Sequence, residues 1–436
     1  QLAGLLDGSP TAVGDNTLPL SVYPTVARNV LTSMLTPLGA GAYAAPITAN
    51  LDSNHIETST NSSELTSYDV FADATYAFTD KFEMSAGVRY TRDDKTTGYA
   101  SSVDSRSALG ALLAIQAGAI PAAQVPAFLA AMANPAFANL PASVFPLFGL
   151  TSQPTANNGD FSYYDSEDDG VTWRVTARYE LTDDTNLYAN YARGRRPEVI
   201  SASGPSAPGG AARFSPVDAE TVDSYEIGAK SALLDGRLRV DGAVFMYNYE
   251  NFQTTIQQGT QFITTNAGEA KSYGFEGQAN FAVASMLDLF ATYAYNHSRF
   301  ENGIYDGNQF RLSPDNAASI GATWRLPVTG GEIEVQPTYT WQSKVFFSDD
   351  NDIPALQTAN FVADLIQDEY QDAYGLLNLR IRYTPDSTNW GVEAFGENIL
   401  DEEYIKDAGN TGDALGMPTF IAGRPAAYGL VFKLKL

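Results

Sequence analysis

The segment FEMSAGVRYT, Phe82 to Thr91, decides the fold class. Phe82, Met84, Ala86, Val88 and Tyr90 alternate with Glu83, Ser85, Gly87, Arg89 and Thr91, a period of two rather than 3.6. One face of such a strand is oily and the other polar. Downstream, Val171, Trp173, Val175, Ala177, Tyr179 and Leu181 interleave with Thr172, Arg174, Thr176, Arg178 and Glu180. Ile333, Val335, Tyr339 and Trp341 do the same against Glu334, Gln336, Thr338, Thr340 and Gln342. Further copies run through Tyr68 to Phe78, Tyr273 to Val283, Leu287 to Tyr295, Ala318 to Leu326, Leu377 to Tyr383 and Tyr428 to Leu436. The pattern gives about thirteen strands of roughly ten residues, the length of a tilted membrane-spanning β-strand and long for a soluble one.

The connections between these strands alternate in length. Tight ones fall at Thr79-Asp80-Lys81, Thr182 to Asn186, Leu234 to Arg237, Ala284 to Met286, Pro327 to Gly331 and Pro385 to Thr388. Long ones cover Asp93 to Gly170, Gly194 to Ala219, Glu250 to Gly268, Ser298 to Ser313, Ser343 to Gln371 and Leu400 to Arg424. In an up-and-down antiparallel sheet this puts every tight turn at one rim and every long loop at the other. The expected fold is all-β, a transmembrane antiparallel up-and-down β-barrel with short periplasmic turns and long external loops. A soluble sandwich would also alternate. The polar faces here, however, carry many ionisable groups that a water-filled lumen satisfies, and the expected lumen-facing set is Arg89, Arg174, Arg178, Glu226, Glu276, Arg325, Arg380 and Arg382. Tyr76, Phe78 and Phe82 flank the first tight turn, while Trp173 and Trp324 face the oily side, as interfacial aromatic girdles do.

Composition narrows the function. With Lys+Arg 26 against Asp+Glu 51, the net charge of -25 argues against nucleic acid as a partner. The chain has no Cys and only two His, His55 and His297, so thiolate metal sites and cysteine nucleophiles are excluded. His297 has no evident Ser and Asp companions, and no enzyme activity, cofactor or metal is expected. No apolar run reaches the ~18 to 20 residues of a membrane helix. The sequence starts at Gln1 without a leader-like segment, so a signal peptide or further N-terminal sequence is expected upstream.

The run NILDEEY, Asn398 to Tyr404, followed by Gly423-Arg424-Pro425 and the closing AAYGLVFKLKL, resembles the C-terminal signature of TonB-dependent outer-membrane receptors. YANYARGRRPE (Tyr188 to Glu198), the long segment from Glu220 to Gln253 that contains SYEIGAK, NAGEAKSYGFEGQANF (Asn266 to Phe281) and RLSPDNAASIGATW (Arg311 to Trp324) agree, in the family's order. Leu436 stands where that signature ends on an aromatic. Within these motifs Glu226 and Gly228 are expected at barrel-wall positions, and Asn398, Asp401 and Tyr404 at a strand exit fixed by hydrogen bonds.

The resemblance implies a 22-stranded barrel filled by an N-terminal plug that carries a TonB box. Strand parity then makes the thirteen strands the tenth to the twenty-second. Residues 1–66 are expected to be an external loop region, and residues 67–436 a partial barrel with an Ala/Pro-rich external loop at 93–169. The plug is expected outside this chain. Within that loop, 107–159 carries no charge and is broken by Pro121, Pro126, Pro135, Pro141 and Pro146. Short helices are expected there, at Ser107 to Ala119 and Ala127 to Met132, and one before it at Val26 to Leu35.

The implied function is TonB-dependent active transport of a scarce nutrient, first a ferric siderophore, with an oligosaccharide or cobalamin-like ligand next and a passive porin as the rival class. Arg195 and Arg196 with Tyr163, Tyr164, Tyr249, Phe346 and Phe347 are the candidate ligand contacts, because guanidinium and aromatic faces grip carboxylate, catecholate or sugar groups. The same residues would equally suit rim anchoring. The acidic runs Asp165 to Asp169 and Asp349 to Asp352 offer oxygen ligands but not the spacing of an EF-hand loop. Expected partners are outer-membrane lipid and lipopolysaccharide, TonB through the plug, the small-molecule ligand, and another outer-membrane protein as a candidate at the loops. The expected location is the cell outer membrane.

Overall fold

The structure, a computed structural model, describes residues 55–105, 121–134, 153–258, 261–357, 365–386, 390–409 and 419–434, with residue 115 and short pieces within 12–49. Thirteen strands form one sheet: β1 His55–Thr79, β2 Phe82–Ser105, β3 Ser162–Thr182, β4 Thr185–Arg196, β5 Glu220–Leu233, β6 Leu238–Glu250, β7 Ala270–Ala284, β8 Leu287–Phe300, β9 Asn316–Val328, β10 Gly331–Gln342, β11 Tyr374–Pro385, β12 Trp390–Glu397 and β13 Ala427–Leu434. Each strand neighbours those before and after it in the chain, and the pairings from β3 to β13 are antiparallel.

Tight turns close the odd-numbered strands onto their successors. At Leu234-Asp235-Gly236 all three residues take positive φ (54°, 57° and 80°), a left-handed path that Asp and Gly accept and that twists the chain back into register. At the first turn the Thr79 hydroxyl accepts hydrogen bonds from the backbone N–H groups of Lys81 and Phe82, at 3.2 and 3.0 Å.

Register sorts the two faces of the sheet row by row. One row reads Tyr191, Tyr225, Met246, Tyr273 and His297; the next toward the turns reads Ala189, Ile227, Val244, Phe275 and Tyr295. A third contains Leu187, Ala229, Gly242, Gly277, Tyr293, Ala318 and Trp341. On the loop side of the tyrosine row the same face changes to Arg193, Asp223, Asn248, Lys271 and Arg299. Ile227 is 63% exposed, Val244 56% and Ile320 60%, so these positions of the apolar face are left uncovered by the described residues. Along β5 the band from Tyr225 to Leu233 spans eight residue-to-residue steps, roughly 26 Å at ~3.3 Å each along the strand, against the ~25 Å apolar band of outer-membrane barrels.

The chain divides into two compact units, one made of residues 1–66, 94–167 and 200–216 and the other of residues 67–93, 168–199 and 217–436. In the first, Ile47, Leu129 and Met132 are fully buried, with Ala44 and Val103 nearly so. In the second, Ala267, Ala270, Phe300 and Tyr305 form a buried cluster against Tyr249, Phe252, Ile256 and Phe310.

Several boundaries differ from what alternation predicts. β1 starts at His55 rather than Tyr68, β2 runs to Ser105 rather than entering a loop at Asp93, and β3 starts at Ser162 rather than after Gly170. These extensions, such as Glu57 to Glu64 (ETSTNSSE), are polar on both faces, so nothing alternates although Thr and Ser suit extended backbone. The long connections also contain their own hairpins, 199–203 with 213–217, 253–258 with 261–266, 345–346 with 370–371, and 405–409 with 419–422. The helix expected at Ala127 to Met132 is present as Val125–Met132. The helices expected at Ser107 to Ala119 and Val26 to Leu35 lie almost wholly outside the described residues.

Candidate functional site

Charges on the polar face near the turns of β8 to β13 are arranged by register. Arg325 sits opposite Glu334, Glu334 opposite Arg382, and Arg382 opposite Glu393, each a directly paired position on neighbouring strands. The guanidinium of Arg325 reaches Asp288 at 2.5 Å and Glu334 at 3.6 Å. Arg382 bridges Glu334 at 3.2 Å and Glu393 at 2.8 Å. Glu393, its side chain only 5% exposed, also receives Arg380 at 3.3 Å and Lys433 at 3.5 Å. The result is one alternating chain of charge across six strands. Glu393→Ala leaves three cations facing one another. After discounting for the water that reaches the arginines, the expected loss is about 2 kcal/mol. Urea unfolding of the full-length protein in detergent micelles measures it, and a loss below about 0.5 kcal/mol would mean the chain of charge is ornamental.

Arg89, Arg174, Arg178 and Glu226, of the expected polar wall, have their own partners. The Arg89 guanidinium lies 5.6 Å from the Phe71 ring centroid, Arg174 pairs with Asp73 at 2.7 Å, and Arg178 approaches Glu83 at 3.8 Å. The Tyr188 hydroxyl donates to Glu226 at 2.6 Å. Glu276 lines a cavity of about 580 Å³ together with Tyr188, Lys230, Asp241, Gln278 and Gln342.

The seven candidate ligand contacts sit in separate settings. Arg195 pairs with Asp168 and lies so close over Gly170 that a Cβ there would fall 2.5 Å from its Cδ and Nε. Arg196 donates to the Gln253 carbonyl at 3.3 Å. Tyr163 stacks on Phe161 and Tyr164 on Phe214, both at 5.6 Å, within the first unit. In the second unit Tyr249 meets Phe252 and Phe310 edge-on. The Lys344 ammonium lies 4.5 Å from the Phe346 ring centroid and 3.5 Å from that of Tyr370, and Phe347 is buried.

The acidic run Asp349 to Asp352 is spent on loop geometry. Asp349 accepts from the Thr254 hydroxyl at 2.7 Å and the Arg311 N–H at 3.1 Å. Asn351 and Asp352 take positive φ (53° and 56°). The fully buried Asp352 carboxylate accepts from the backbone N–H groups of Asp368 and Glu369 at 2.6 and 2.8 Å, and from Gln357 at 3.2 Å. Burial pushes this carboxyl above the usual aspartate range, while those same donors pull it back. Among the described residues no group of three His, Cys, Asp or Glu is placed to hold a metal ion. Sequence reading singled out none of Gln253, Thr254 and Gln309, whose partners lie far away in the chain.

At the NILDEEY segment, Asn398 is a buried node. Its backbone N–H donates to the Asn378 side chain at 2.9 Å, its Nδ2 donates to the carbonyls of Glu402 and Arg424 at 2.9 and 3.0 Å, and its Oδ1 accepts from Glu402 N–H at 2.9 Å. Asp401 accepts from Ala426 N–H at 2.8 Å. Tyr404 stacks on Tyr374 with centroids 4.7 Å apart and accepts from Arg424 N–H at 3.3 Å. Gly423 lies against its ring, with no room for a Cβ. The expectation of a strand exit fixed by hydrogen bonds at these three residues is met.

The family described as TonB dependent receptor-like, beta-barrel matches residues 16–399. A probable TonB-dependent siderophore receptor of Acinetobacter baumannii, PiuA, is 28% identical over 184 residues, which is 39% of this chain and 23% of that receptor. The catecholate siderophore receptor Fiu of Escherichia coli is 25% identical over 194 residues, 42% of this chain and 24% of the receptor. The crystal structure of the ferric yersiniabactin uptake receptor FyuA from Yersinia pestis superposes with a TM-score of 0.63 at 17% identity, over 87% of this chain and 47% of that one, which speaks for the fold alone. The chain thus spans under half the length of the solved receptor and about a quarter of the curated relatives. With the family's match running across nearly all thirteen strands and the same ordered sheet beneath it, the chain belongs to the TonB-dependent receptor-like β-barrel family.

Proposed function

We propose that the protein to which this chain belongs carries a ferric siderophore across the outer membrane of a Gram-negative cell, driven through TonB. The carrying observation is the two-sidedness of the sheet. One face exposes row after row of large apolar side chains, while the other is polar and charged. A water-soluble protein does not leave so much contiguous apolar surface uncovered, whereas lipid solvates it at no cost. The relatives, siderophore receptors among them, support iron chelate as cargo.

In this reading the polar face lines the lumen. Arg89, Arg174, Arg178, Glu226, Glu276, Arg325, Arg380 and Arg382 then form its wall, and pairing with Asp73, Glu83, Asp288, Glu334 and Glu393 keeps the charges of Arg174, Arg178, Arg325, Arg380 and Arg382 satisfied in a wet but confined space. The long connections face outward and receive the ligand. The plug, together with about nine earlier strands, comes from the rest of the protein. TonB acts on the plug and the barrel performs no covalent chemistry. Lipid and lipopolysaccharide surround the apolar band.

Expression of the full-length gene in an iron-starved host lacking its own receptors tests this. Uptake of radioactive iron as a ferric catecholate, ferric hydroxamate or ferric citrate should be saturable and should fall at least tenfold with a protonophore. Uptake that ignores the protonophore would identify a passive porin instead. Failure with all three chelates would turn the reading toward an oligosaccharide or cobalamin-like ligand.

A further inference from the structure

We propose that the loops following β6, β8 and β10 are clamped into one rigid body, with Asp349 as its pin, so that this sector of the rim moves as a whole or not at all. The geometry joins three segments far apart in sequence. Asp349 belongs to the loop after β10. Its carboxylate accepts from Thr254, the second residue of the hairpin after β6, at 2.7 Å, and from the Arg311 N–H, in the loop after β8, at 3.1 Å. Its own carbonyl accepts from Asn308 Nδ2 at 3.0 Å.

Two further links run in parallel. Asn351 and Gln309 exchange a reciprocal pair, Gln309 N–H to Asn351 Oδ1 and Asn351 Nδ2 to the Gln309 carbonyl, both 2.8 Å. Leu312 N–H donates to the Phe346 carbonyl at 2.8 Å. Thr254, Asn308, Gln309 and Asn351 are each at most 8% exposed, so water competes poorly for these bonds.

Beneath the polar layer, Phe252 from the first loop packs on Phe300 and Phe310 at 5.2 and 5.0 Å, and Phe300 packs on Phe310 and Tyr305 at 4.9 and 5.4 Å. Burial, with Asp350 and Asp349 nearby, pushes the Tyr305 hydroxyl well above the ordinary phenol range. Gln253 continues the stitching on the other side of the hairpin, through donation to the carbonyls of Pro197 and Asp218, both at 3.0 Å.

A loop held at one end opens alone, whereas loops that share buried acceptors open together, because breaking the shared group strands every donor at once. Amide hydrogen exchange on the full-length protein in detergent reads this directly. Asp349→Ala should raise exchange at least tenfold in peptides covering 253–258, 303–311 and 343–352 together, while β7 to β10 stay protected. Thr254→Val, which removes one arm, should loosen the hairpin 253–266 and leave 303–311 unchanged. If Asp349→Ala loosens only 348–352, the loops are independent and the clamp is wrong. Should that variant disturb the sheet, Asp349→Asn, which keeps the main-chain carbonyl and one side-chain acceptor, is read instead. Because the oxygen that this variant keeps still holds one of the two donors, it is expected to loosen one of the loops after β6 and β8; Asp349→Leu, which fills similar space with no acceptor, must loosen both in step, and exchange that rises in only one of them with leucine overturns the proposal.

Discussion

Replacing Asn398 with alanine is expected to cost about 3 to 4 kcal/mol, from three lost side-chain hydrogen bonds at ~0.5 to 1.5 kcal/mol each and ~1 kcal/mol for holding alanine at positive φ. The residue is 3% exposed with φ 49°, and its side chain joins the exit of β12 to Glu402 and to the Arg424 carbonyl just before β13. Without it the carbonyls of Glu402 and Arg424 and the Glu402 N–H lose a partner, and the path into the last strand loses one of its anchors beside Asp401 and Tyr404. Asn398→Gly separates the two contributions, since glycine accepts the backbone angle and loses only the bonds. Urea titration of the full-length barrel in micelles should place alanine below glycine and glycine well below the parent. An alanine variant within about 1 kcal/mol of the parent would mean that the node is dispensable.

Val244→Arg carries the second large effect. Val244 lies near the middle of the apolar run of β6, between Ile227 on β5 and Phe275 on β7. If lipid covers that face, an arginine there costs about 2 to 4 kcal/mol in a bilayer. Gln278→Arg, on the opposite face beside Asp241, serves as the control and should cost little, because water and a carboxylate receive the cation. Folding yield into phospholipid vesicles separates the two variants. Equal yields would remove the case for the apolar face as the membrane-facing one, and with it the proposed orientation of the charged wall.

The strands between the apolar rims were legible because a half-buried strand writes its environment into alternate residues. Phe82 to Tyr90 and Val171 to Leu181 needed no context. Where a strand runs on with polar residues on both faces, as β1 does from His55 to Ser67, that record disappears although the ladder continues. The NILDEEY node could be anticipated because turn-forming Asn and Asp act on their own neighbourhood. The loop clamp could not, since Thr254 and Asp349 lie 95 residues apart and neither position is unusual by itself. For the same reason Arg195 looked available in the sequence, and only the fold reveals Asp168 beside it.

The alternation of apolar and polar residues along each strand also bears on how such a protein reaches its membrane. A helix that will live in lipid announces itself in one unbroken oily stretch, and a secretion channel can release it sideways into the first bilayer it meets. In these strands the oil is diluted one to one with polar residues, so no strand by itself is a greasy segment of that kind. The apolar surface comes into existence only when strands line up and their alternate residues merge into a continuous face. If lipid covers that face, as proposed above, the chain becomes a membrane protein only on folding, and folding itself is then the sorting step.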